Sequence, residues 1–267
     1  MRSIASMMNM GGKVAVITGG AGHLGHAMAC ALAELGCDIC LVDFNRPSLE
    51  HAAANLANKF SIRVETLVVD LESEAERKEV APQVERLFGR ADVLINNAGF
   101  VGDSRLTGWV APFEDQEIST WRRAIEVNLT AAFHLCQTMS PLLRTNGTGS
   151  IINISSIYGV VGPDLSLYAG TAMGNPAAYA ASKGGLIQAT RWLSTVLAPD
   201  VRVNCISPGG IARNQPVEFS ERYISRTPMR RMGTEEDFKG AVAYFASDLS
   251  AWVTGENLMV DGGWTTW

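Results

Sequence analysis

A tyrosine and a lysine stand four residues apart in the stretch Tyr179-Ala-Ala-Ser-Lys183. Asn175 and Pro176 lie just before it, and because asparagine is a favoured N-cap and proline a favoured first helical residue, we predict that a helix starts there. On that helix the two side chains share a face. A nearby ammonium favours the phenolate and so lowers the pKa of tyrosine from its usual value near ~10. We interpret Tyr179 as a proton donor and acceptor near neutral pH, with a surface pair as the alternative.

A second stretch with chemical potential is the glycine-rich sequence Thr18-Gly-Gly-Ala-Gly-His-Leu-Gly25. It lies between an apolar, β-branched run and a helical pattern, where glycines let backbone approach a pyrophosphate at a helix N-terminus. Asp43 ends the next apolar run, where a carboxylate binds an adenosine ribose and repels a 2′-phosphate. The pattern predicts NAD in preference to NADP. Arg46 could weaken that preference, and a plain glycine-rich turn is the alternative.

Short apolar runs alternate with helical patterns along the chain. Alternation at this spacing is typical of parallel β-α-β units in a doubly wound sheet. We therefore predict an α/β, Rossmann-type fold with helices on both faces. The predicted strands are 13–18, 38–43, 63–70, 92–96, 150–154, 201–206 and 257–260; the predicted helices are 27–35, 47–60, 73–88, 118–143, the one carrying Tyr179, and 235–247.

Length and composition fit one domain. The 267 residues are 47% apolar and 18% charged with a net charge of −5, and no linker divides them. We predict a flexible leader at 1–11 and a single domain at 12–267. The acidic balance disfavours nucleic acid, and no apolar run approaches the roughly 18 residues that cross a membrane. The five cysteines share no metal-ligand spacing with the four histidines, which predicts no metal site and a cytoplasmic protein.

The turn Asn96-Asn-Ala-Gly99 completes a series of motifs that resembles the short-chain dehydrogenase/reductase family, in its compact single-domain branch. The resemblance extends from Lys13 to Gly263. Each motif alone is a modest signal, but their order and spacing together are specific. The motifs are the glycine loop, Asp70, the Asn-Asn-Ala-Gly turn, Asn128, Ile154-Ser155-Ser156, the Tyr179–Lys183 pair, Pro208-Gly209 and Val260-Asp-Gly-Gly263.

The resemblance implies hydride transfer between NAD and a secondary alcohol or ketone. It makes Tyr179 the general acid/base, while Lys183 lowers its pKa and holds the nicotinamide ribose. Ser156 would polarise the substrate carbonyl, and Asn128 would hold a water that links Lys183 to solvent. The alternatives are a backbone-bonded helix asparagine for Asn128 and an exposed strand-end acid for Asp70. The implied cofactor contacts are Gly19, Gly22, His23, Leu24, Gly25, Asp43, Asp70, Leu71, Asn97, Gly99, Pro208, Gly209 and Ile211.

Three features depart from the family's pattern. In the glycine loop, His23 stands where the family usually has its middle glycine. The resulting glycine spacing is similar to that of a nucleotide-sugar-modifying branch of the family, but that branch has an additional C-terminal substrate domain for which this chain has no room. The gap from Ser156 to Tyr179 is longer than usual, and we expect the added segment, 162–174, to line the substrate cleft. Tyr168 lies nearer the usual distance but has no lysine four residues later. Arg213 stands where a threonine often contacts the cofactor.

The segment 210–233 is the predicted substrate lid and carries five arginines. They are Arg213, Arg222, Arg226, Arg230 and Arg231. Guanidinium groups suit an anionic or heavily hydroxylated substrate, although surface arginines also pair with neighbouring acids or across subunit interfaces. Further candidate polar contacts are Asp103, Arg105, Asp164 and Asn214. The family is usually oligomeric, so the resemblance implies a homotetramer or a homodimer.

We predict an NAD-dependent dehydrogenase of a small polyhydroxy compound: a sugar, polyol or sugar acid. The insertion and the final Gly-Gly-Trp are similar to oxidoreductases of surface-sugar biosynthesis. One alternative is a 3-oxoacyl-thioester (acyl carrier protein) reductase, against which Asp43 counts because fatty-acid reductions commonly use NADP. The short Tyr-to-Lys spacing disfavours an enoyl reductase. From another class, a nicotinamide-binding sensor without turnover is the remaining alternative.

Overall fold

The computed structural model describes residues 1–101 and 106–267. Seven strands form one parallel sheet in the order β3-β2-β1-β4-β5-β6-β7, which confirms the predicted doubly wound α/β class. The strands are β1 Val14–Thr18, β2 Asp38–Asp43, β3 Val64–Val68, β4 Val93–Asn96, β5 Gly149–Ile154, β6 Val201–Pro208 and β7 Asn257–Val260. The α-helices are α1 Ile4–Met8, α2 His23–Glu34, α3 Arg46–Lys59, α4 Glu74–Lys78, α5 Val80–Phe88, α6 Ile118–Ile125, α7 Ala131–Arg144, α8 Ala177–Leu197, α9 Val217–Arg226 and α10 Lys239–Ala246.

Both faces of the sheet are covered. Alternate residues of a strand point to opposite faces, so Ile17 of β1 packs into a core with α2, α3 and α10, whereas Val16 packs into a core with α5, α7 and α8. A strand that is buried on both sides is an uninterrupted apolar run, and this explains why the strands could be recognised in the sequence. Within the described ranges, no helix is both long and apolar enough to span a membrane.

Two predicted helices are interrupted. The segment 73–88 divides into α4 and α5 around Glu79, because Pro82 is accommodated only in the first turn of a helix. The predicted helix 118–143 contains a π-helical turn, Glu126–Thr130, between α6 and α7. Such turns are rare and occur often at functional sites, and this one carries Asn128.

The start of α8 and the predicted leader also differ from expectation. Pro176 is the N-cap of α8, and no side chain caps the helix, so the predicted cap at Asn175 is wrong. Asn175 instead lines a cavity together with Tyr168. Within the predicted leader, Met10 is fully buried in the core and its N–H donates to the Leu35 carbonyl at 2.9 Å.

The strand order determines where a ligand can bind. The chain runs outward from β1 to β3 on one side and from β4 to β7 on the other, so the direction reverses between β1 and β4. In open α/β sheets, ligands bind at the carboxyl ends of the strands beside such a switch point. The glycine loop after β1 and the Asn96-Asn-Ala-Gly99 turn after β4 both lie at this edge.

Candidate active site

The glycine loop packs so closely against its neighbours that neither Gly19 nor Gly25 has space for a side chain. Gly19 has φ +63°, and a Cβ on it would lie 2.9 Å from the Ala98 Cα. A Cβ on Gly25 would lie 2.2 Å from the Gly19 carbonyl oxygen. Asn97 donates from Nδ2 to the carbonyls of Thr18 at 3.0 Å and Gly19 at 3.2 Å, which joins the turn after β4 to the loop. The loop is thereby held against the N-terminus of α2.

The first turn of α2 and the end of β2 complete this corner. Gly22 is the N-cap of α2 without a side-chain cap, His23 is its exposed first residue, and Leu24 packs partly against the core. The Asp43 carboxylate accepts a hydrogen bond from the Ala21 N–H of the glycine loop at 3.2 Å. A carboxylate therefore borders the loop where an adenosine ribose would lie, and exposed backbone and a helix N-terminus border the pyrophosphate position.

Asp70 and Leu71 lie one strand further along the same edge. Asp70 is exposed, and its carboxylate accepts the Glu72 N–H at 2.9 Å, which closes a local turn. The Leu71 carbonyl accepts a hydrogen bond from the guanidinium of Arg77. The acid thus has the structural role that was its alternative.

The remaining predicted cofactor residues lie on the other side of the crevice. Pro208 ends β6, and a Cβ on Gly209 would lie 2.7 Å from the Asp261 Cα, so this turn is also tightly packed. Ile211 pairs with Gly233 in an isolated parallel bridge. Gly99 faces the crevice between Asn128 and Lys183. Gly99 and Gly209 thus add closely packed backbone to this edge of the sheet, opposite the glycine loop.

Ser156, Tyr179 and Lys183 come together at the carboxyl end of β5. Ser156 and Tyr179 line the same cavity and are hydrogen-bonding neighbours. The Ser156 Oγ accepts the Tyr158 N–H at 3.2 Å, which fixes the hydroxyl at the cavity wall. Ser155 is directed away, with its hydroxyl donating to the Lys183 carbonyl at 2.8 Å. The geometry thus favours Ser156 over Ser155 as the serine that faces a substrate.

The pKa of Tyr179 differs in direction from the sequence expectation. Burial raises it above the usual tyrosine value, the hydrogen bond with Ser156 lowers it, and Tyr168 raises it. The Lys183 ammonium lies 5.8 Å from the centre of the Tyr179 ring and donates to the Ile154 carbonyl at 2.8 Å. Burial lowers the pKa of Lys183 to about 8. Desolvation of the phenol therefore outweighs the cation in this structure.

Asn128 is fixed by three hydrogen bonds. Its Oδ1 accepts the Phe100 N–H at 2.6 Å, while its Nδ2 donates to the Phe100 carbonyl at 3.3 Å and to the Ser182 Oγ at 3.0 Å. A Cβ on Gly99 would lie 3.7 Å from the Asn128 Oδ1 and 3.8 Å from the Lys183 Nζ. The structure therefore places Asn128 beside Lys183 across Gly99, although its side chain also has the backbone-bonded role that was the alternative.

The cavity at Ser156 and Tyr179 has a volume of about 240 Å³ and mainly apolar and aromatic walls. Tyr223 and Trp264 stack at 5.7 Å, Phe219 stacks on Tyr223 at 5.9 Å, and the Tyr158 and Tyr168 hydroxyls are 2.7 Å apart. Tyr168 and Met173 belong to the insertion 162–174, which lines the cavity as expected. The full lining is Val101, Trp109, Ser156, Ile157, Tyr158, Tyr168, Met173, Gly174, Asn175, Pro176, Tyr179, Pro208, Gly209, Gly210, Phe219 and Tyr223.

All five lid arginines contact protein groups, so the structure favours pairing within the chain over binding of an anion. Arg213 pairs with Glu235 at 3.1 Å, Arg231 with Asp237 at 2.6 Å, and Arg226 with Asp164. Arg222 donates to the Ala169 carbonyl at 2.6 Å, and Arg230 to the Ser225 carbonyl at 2.6 Å. Asn214 is exposed. Asp103 and Arg105 lie outside the described residues.

Several cavity residues were missed as site residues in the sequence. Tyr158 follows Ser156 by two residues, Asn175 was interpreted as a helix cap, and Phe219 and Tyr223 lie four apart on α9. The i, i+4 spacing of two aromatic residues on an otherwise polar helix was an available signal for one wall of the cavity. Trp109 gave no such signal, since it belongs to an irregular segment between β4 and α6.

The raised pKa of Tyr179 predicts opposite pH dependence for the two directions of an alcohol–ketone reaction. Alcohol oxidation needs the phenolate, so its kcat/KM should rise with pH between about pH 6 and pH 9. Ketone reduction needs the phenol, so its kcat/KM should stay level there and fall only at higher pH. Initial rates in both directions across this range provide the check. An oxidation rate that is level through neutral pH would contradict the raised pKa.

Comparison with known proteins gives consistent matches over nearly the whole chain. A family model described as enoyl-(acyl carrier protein) reductase matches residues 19–265. A 3-oxoacyl-[acyl-carrier-protein] reductase of Thermotoga maritima is 32% identical over 263 residues, which is 96% of this chain and 99% of that protein.

Two solved structures are also similar. An NADPH-dependent 3-quinuclidinone reductase from Rhodotorula rubra superposes with a TM-score of 0.89 and 30% identity, covering 100% of this chain and 96% of its own. An NAD⁺-bound xylitol dehydrogenase has a TM-score of 0.83 and 34% identity, covering 95% of this chain and 99% of its own.

Proposed function

The chain belongs to the short-chain dehydrogenase/reductase family and is an oxidoreductase acting on CH–OH groups; from that premise we propose that it transfers a hydride between NAD(H) and a small, neutral polyhydroxy compound. The observation that carries the proposal is the meeting of Ser156, Tyr179 and Lys183 at one end of a cavity, beside predicted cofactor contacts. The cofactor supplies the hydride acceptor for oxidation and the hydride donor for reduction.

The proposed roles of the side chains follow from their hydrogen bonds. The Ser156 Oγ accepts a hydrogen bond from the Tyr158 N–H, and its hydroxyl proton is donated to the substrate oxygen. Tyr179 gives a proton to that oxygen in reduction and removes one in oxidation. Lys183 has a pKa of about 8 and is therefore charged at lower pH. It lies beside Asn128 across Gly99, and we propose that it forms the path by which Tyr179 exchanges its proton with solvent.

Asp43 supports NAD over NADP as the cofactor. Its carboxylate lies at the glycine loop, where it would bind both ribose hydroxyls and repel a 2′-phosphate. Arg46 is exposed and lies 3.9 Å from Glu50, a weak pair that leaves it able to reduce this preference. Similar structures include both an NADPH-dependent reductase and an NAD⁺-bound dehydrogenase, and we propose that the residue at this corner sets the preference.

We expect Asp43→Ala to raise the KM for NAD by about tenfold or more and to shift the ratio of kcat/KM values toward NADP. The substitution removes the carboxylate that would accept hydrogen bonds from the adenosine ribose, and with it the negative charge that would repel a 2′-phosphate. Steady-state kinetics with each cofactor measure this ratio. Asp38→Ala is the matched control, because Asp38 begins the same strand at its opposite end and binds the Arg63 N–H. If Asp43→Ala left the ratio of kcat/KM values for NAD and NADP unchanged, the proposal that Asp43 determines the cofactor preference would be refuted.

The cavity supports a neutral substrate. Its walls are aromatic and its lid arginines are paired, so a sugar or polyol fits better than a sugar acid. The likeness to a xylitol dehydrogenase agrees with this class, and the suggestion of a role in surface-sugar biosynthesis is supported by the sequence resemblance of the insertion and the final Gly-Gly-Trp. The second candidate is a 3-oxoacyl-thioester reductase, favoured by the Thermotoga maritima relative. The four-residue spacing of Tyr179 and Lys183 counts against an enoyl reductase.

A turnover assay separates these candidates. Polyols, sugars, sugar acids and hydroxyacyl thioesters are each incubated with NAD and with NADP, and formation of reduced nicotinamide is followed by absorbance. The proposal expects turnover of a neutral polyol or sugar with NAD. Turnover restricted to a thioester with NADP would establish the second candidate instead, and cofactor binding without turnover of any compound would support a sensor.

We also propose a homotetramer in the cytoplasm. Helices α6 to α8 expose large apolar side chains, among them Trp121, Phe133 and Trp192, which a subunit interface would cover. The five cysteines are free, which suits a reducing compartment. Sedimentation equilibrium gives the subunit number, and a monomer would refute the assembly.

A further inference from the structure

Three polar side chains stand out in the otherwise apolar wall of the active-site cavity. Tyr158, Tyr168 and Asn175 all line it. Tyr158 follows Ser156 by two residues and donates its backbone N–H to the Ser156 Oγ at 3.2 Å. Asn175 precedes Tyr179 by four residues. The side chains of these three residues have no role in the proton transfer proposed above.

The two tyrosines form a pair of neutral hydroxyls. Their oxygens are 2.7 Å apart, so one hydroxyl donates to the other. A pair joined in this way uses one of its two protons and leaves the second free. Burial raises the pKa of both tyrosines, so both keep their protons at neutral pH. The pair therefore presents one O–H donor and carries no charge.

Asn175 adds a polar group without a partner. Its Oδ1 is buried and has no hydrogen-bond partner among the described residues. A buried unpaired polar atom costs roughly 1–3 kcal/mol, and most such atoms in proteins have a partner. At the wall of a cavity, that partner is a group of the ligand.

We propose that Tyr158, Tyr168 and Asn175 form a subsite for a substrate hydroxyl on a carbon adjacent to the reacting one. A hydroxyl both donates and accepts, which matches the free phenolic proton and the unpaired amide atom. A carboxylate only accepts and would face the Asn175 oxygen without a proton between them. An acyl chain offers neither group. This inference deepens the proposed function and depends on it, because it specifies a vicinal diol or hydroxyketone as the substrate class.

Kinetics with paired probes test the subsite. The probes are butane-2,3-diol and butan-2-ol, which differ in the neighbouring hydroxyl, together with xylitol. We expect the wild type to have a higher kcat/KM for the diol than for the monoalcohol. The substitutions Asn175→Leu and Tyr168→Phe should each lower this diol-to-monoalcohol ratio by about 10–100-fold, where each tenfold change corresponds to about 1.4 kcal/mol. The controls are Asn58→Leu at an exposed position of α3 and Tyr244→Phe on α10, neither of which lines the cavity.

A binding measurement separates recognition from turnover. Titration calorimetry of the Tyr179→Phe variant with NAD and the diol should show binding that the added Asn175→Leu substitution weakens by a similar factor. Equal losses for diol and monoalcohol in the subsite variants, or no preference of the wild type for the diol, would overturn the subsite while the proposed function stands. Silence of the wild type on all three probes with both cofactors would overturn the proposed function itself.

Discussion

Replacement of Tyr179 by phenylalanine should lower kcat by about 10²–10⁴-fold in both directions of the reaction, the usual contribution of a general acid or base. The phenolic oxygen is the group that exchanges a proton with the substrate, and the substitution removes only that oxygen. Tyr179 lines the cavity next to Ser156, so the substrate pocket keeps its shape. Single-turnover and steady-state kinetics with the best alcohol of the panel measure the loss.

The same variant should still bind NADH with nearly unchanged affinity, which fluorescence titration tests. Tyr244→Phe is the matched control because that tyrosine packs on α10 away from the cavity, and it should leave kcat unchanged. Retention of wild-type turnover by Tyr179→Phe would refute its role as the acid/base. Loss of NADH binding together with turnover would indicate a structural defect in place of a chemical one.

Substitution of Gly25 by alanine should raise the Kd for NADH by about 100-fold or more, which is about 2.8 kcal/mol. The new Cβ would lie 2.2 Å from the Gly19 carbonyl oxygen and 2.8 Å from the Asn97 Nδ2. Both neighbours belong to the loop and to the turn that is joined to it, so relieving the clash moves the loop away from α2 and separates Asn97 from the carbonyls it binds. The helix N-terminus then loses its alignment with the pyrophosphate position.

Gly240→Ala is the matched control for this substitution. Gly240 also lies in a helix, but it is exposed and a Cβ there meets no atom within 4 Å. We expect it to leave cofactor binding unchanged and to stabilise the fold by up to about 1 kcal/mol, because alanine is the better helix former. Titration with NADH and thermal unfolding of both variants give the comparison. Wild-type affinity in Gly25→Ala would mean that the loop does not hold the cofactor.

The fold was predictable from the sequence because buried strands and glycine turns have strong local signals. β2 and β7 were predicted with their observed boundaries, since an uninterrupted apolar run such as Asp38–Asp43 belongs to a strand covered on both faces. The π-helical turn at Asn128 has no such signal. Its side chains alone do not distinguish a π-helical turn from an α-helical one, and the turn depends on packing against Phe100 and Ser182.

The sequence indicated that Tyr179 and Lys183 lie close together, but not the electrostatics of the site around them. The spacing of Tyr179 and Lys183 indicated a cation beside a phenol, but not that both groups are desolvated and that the ammonium is bound to the Ile154 carbonyl. The lid arginines show the same limit. Their partners, such as Glu235 for Arg213 and the Ala169 carbonyl for Arg222, are distant along the chain and adjacent only after folding.

Transfer of deuterium from substrate to cofactor tests hydride transfer most directly. Xylitol deuterated at its secondary carbinol carbons is incubated with NAD and the protein, and the reduced cofactor is analysed by mass spectrometry. We expect one deuterium in each reduced nicotinamide formed, and almost no reduced cofactor with the Tyr179→Phe variant. Reduced cofactor without deuterium, or none at all from the wild type with this or any other alcohol, would contradict the assignment of the chain as an alcohol–ketone oxidoreductase.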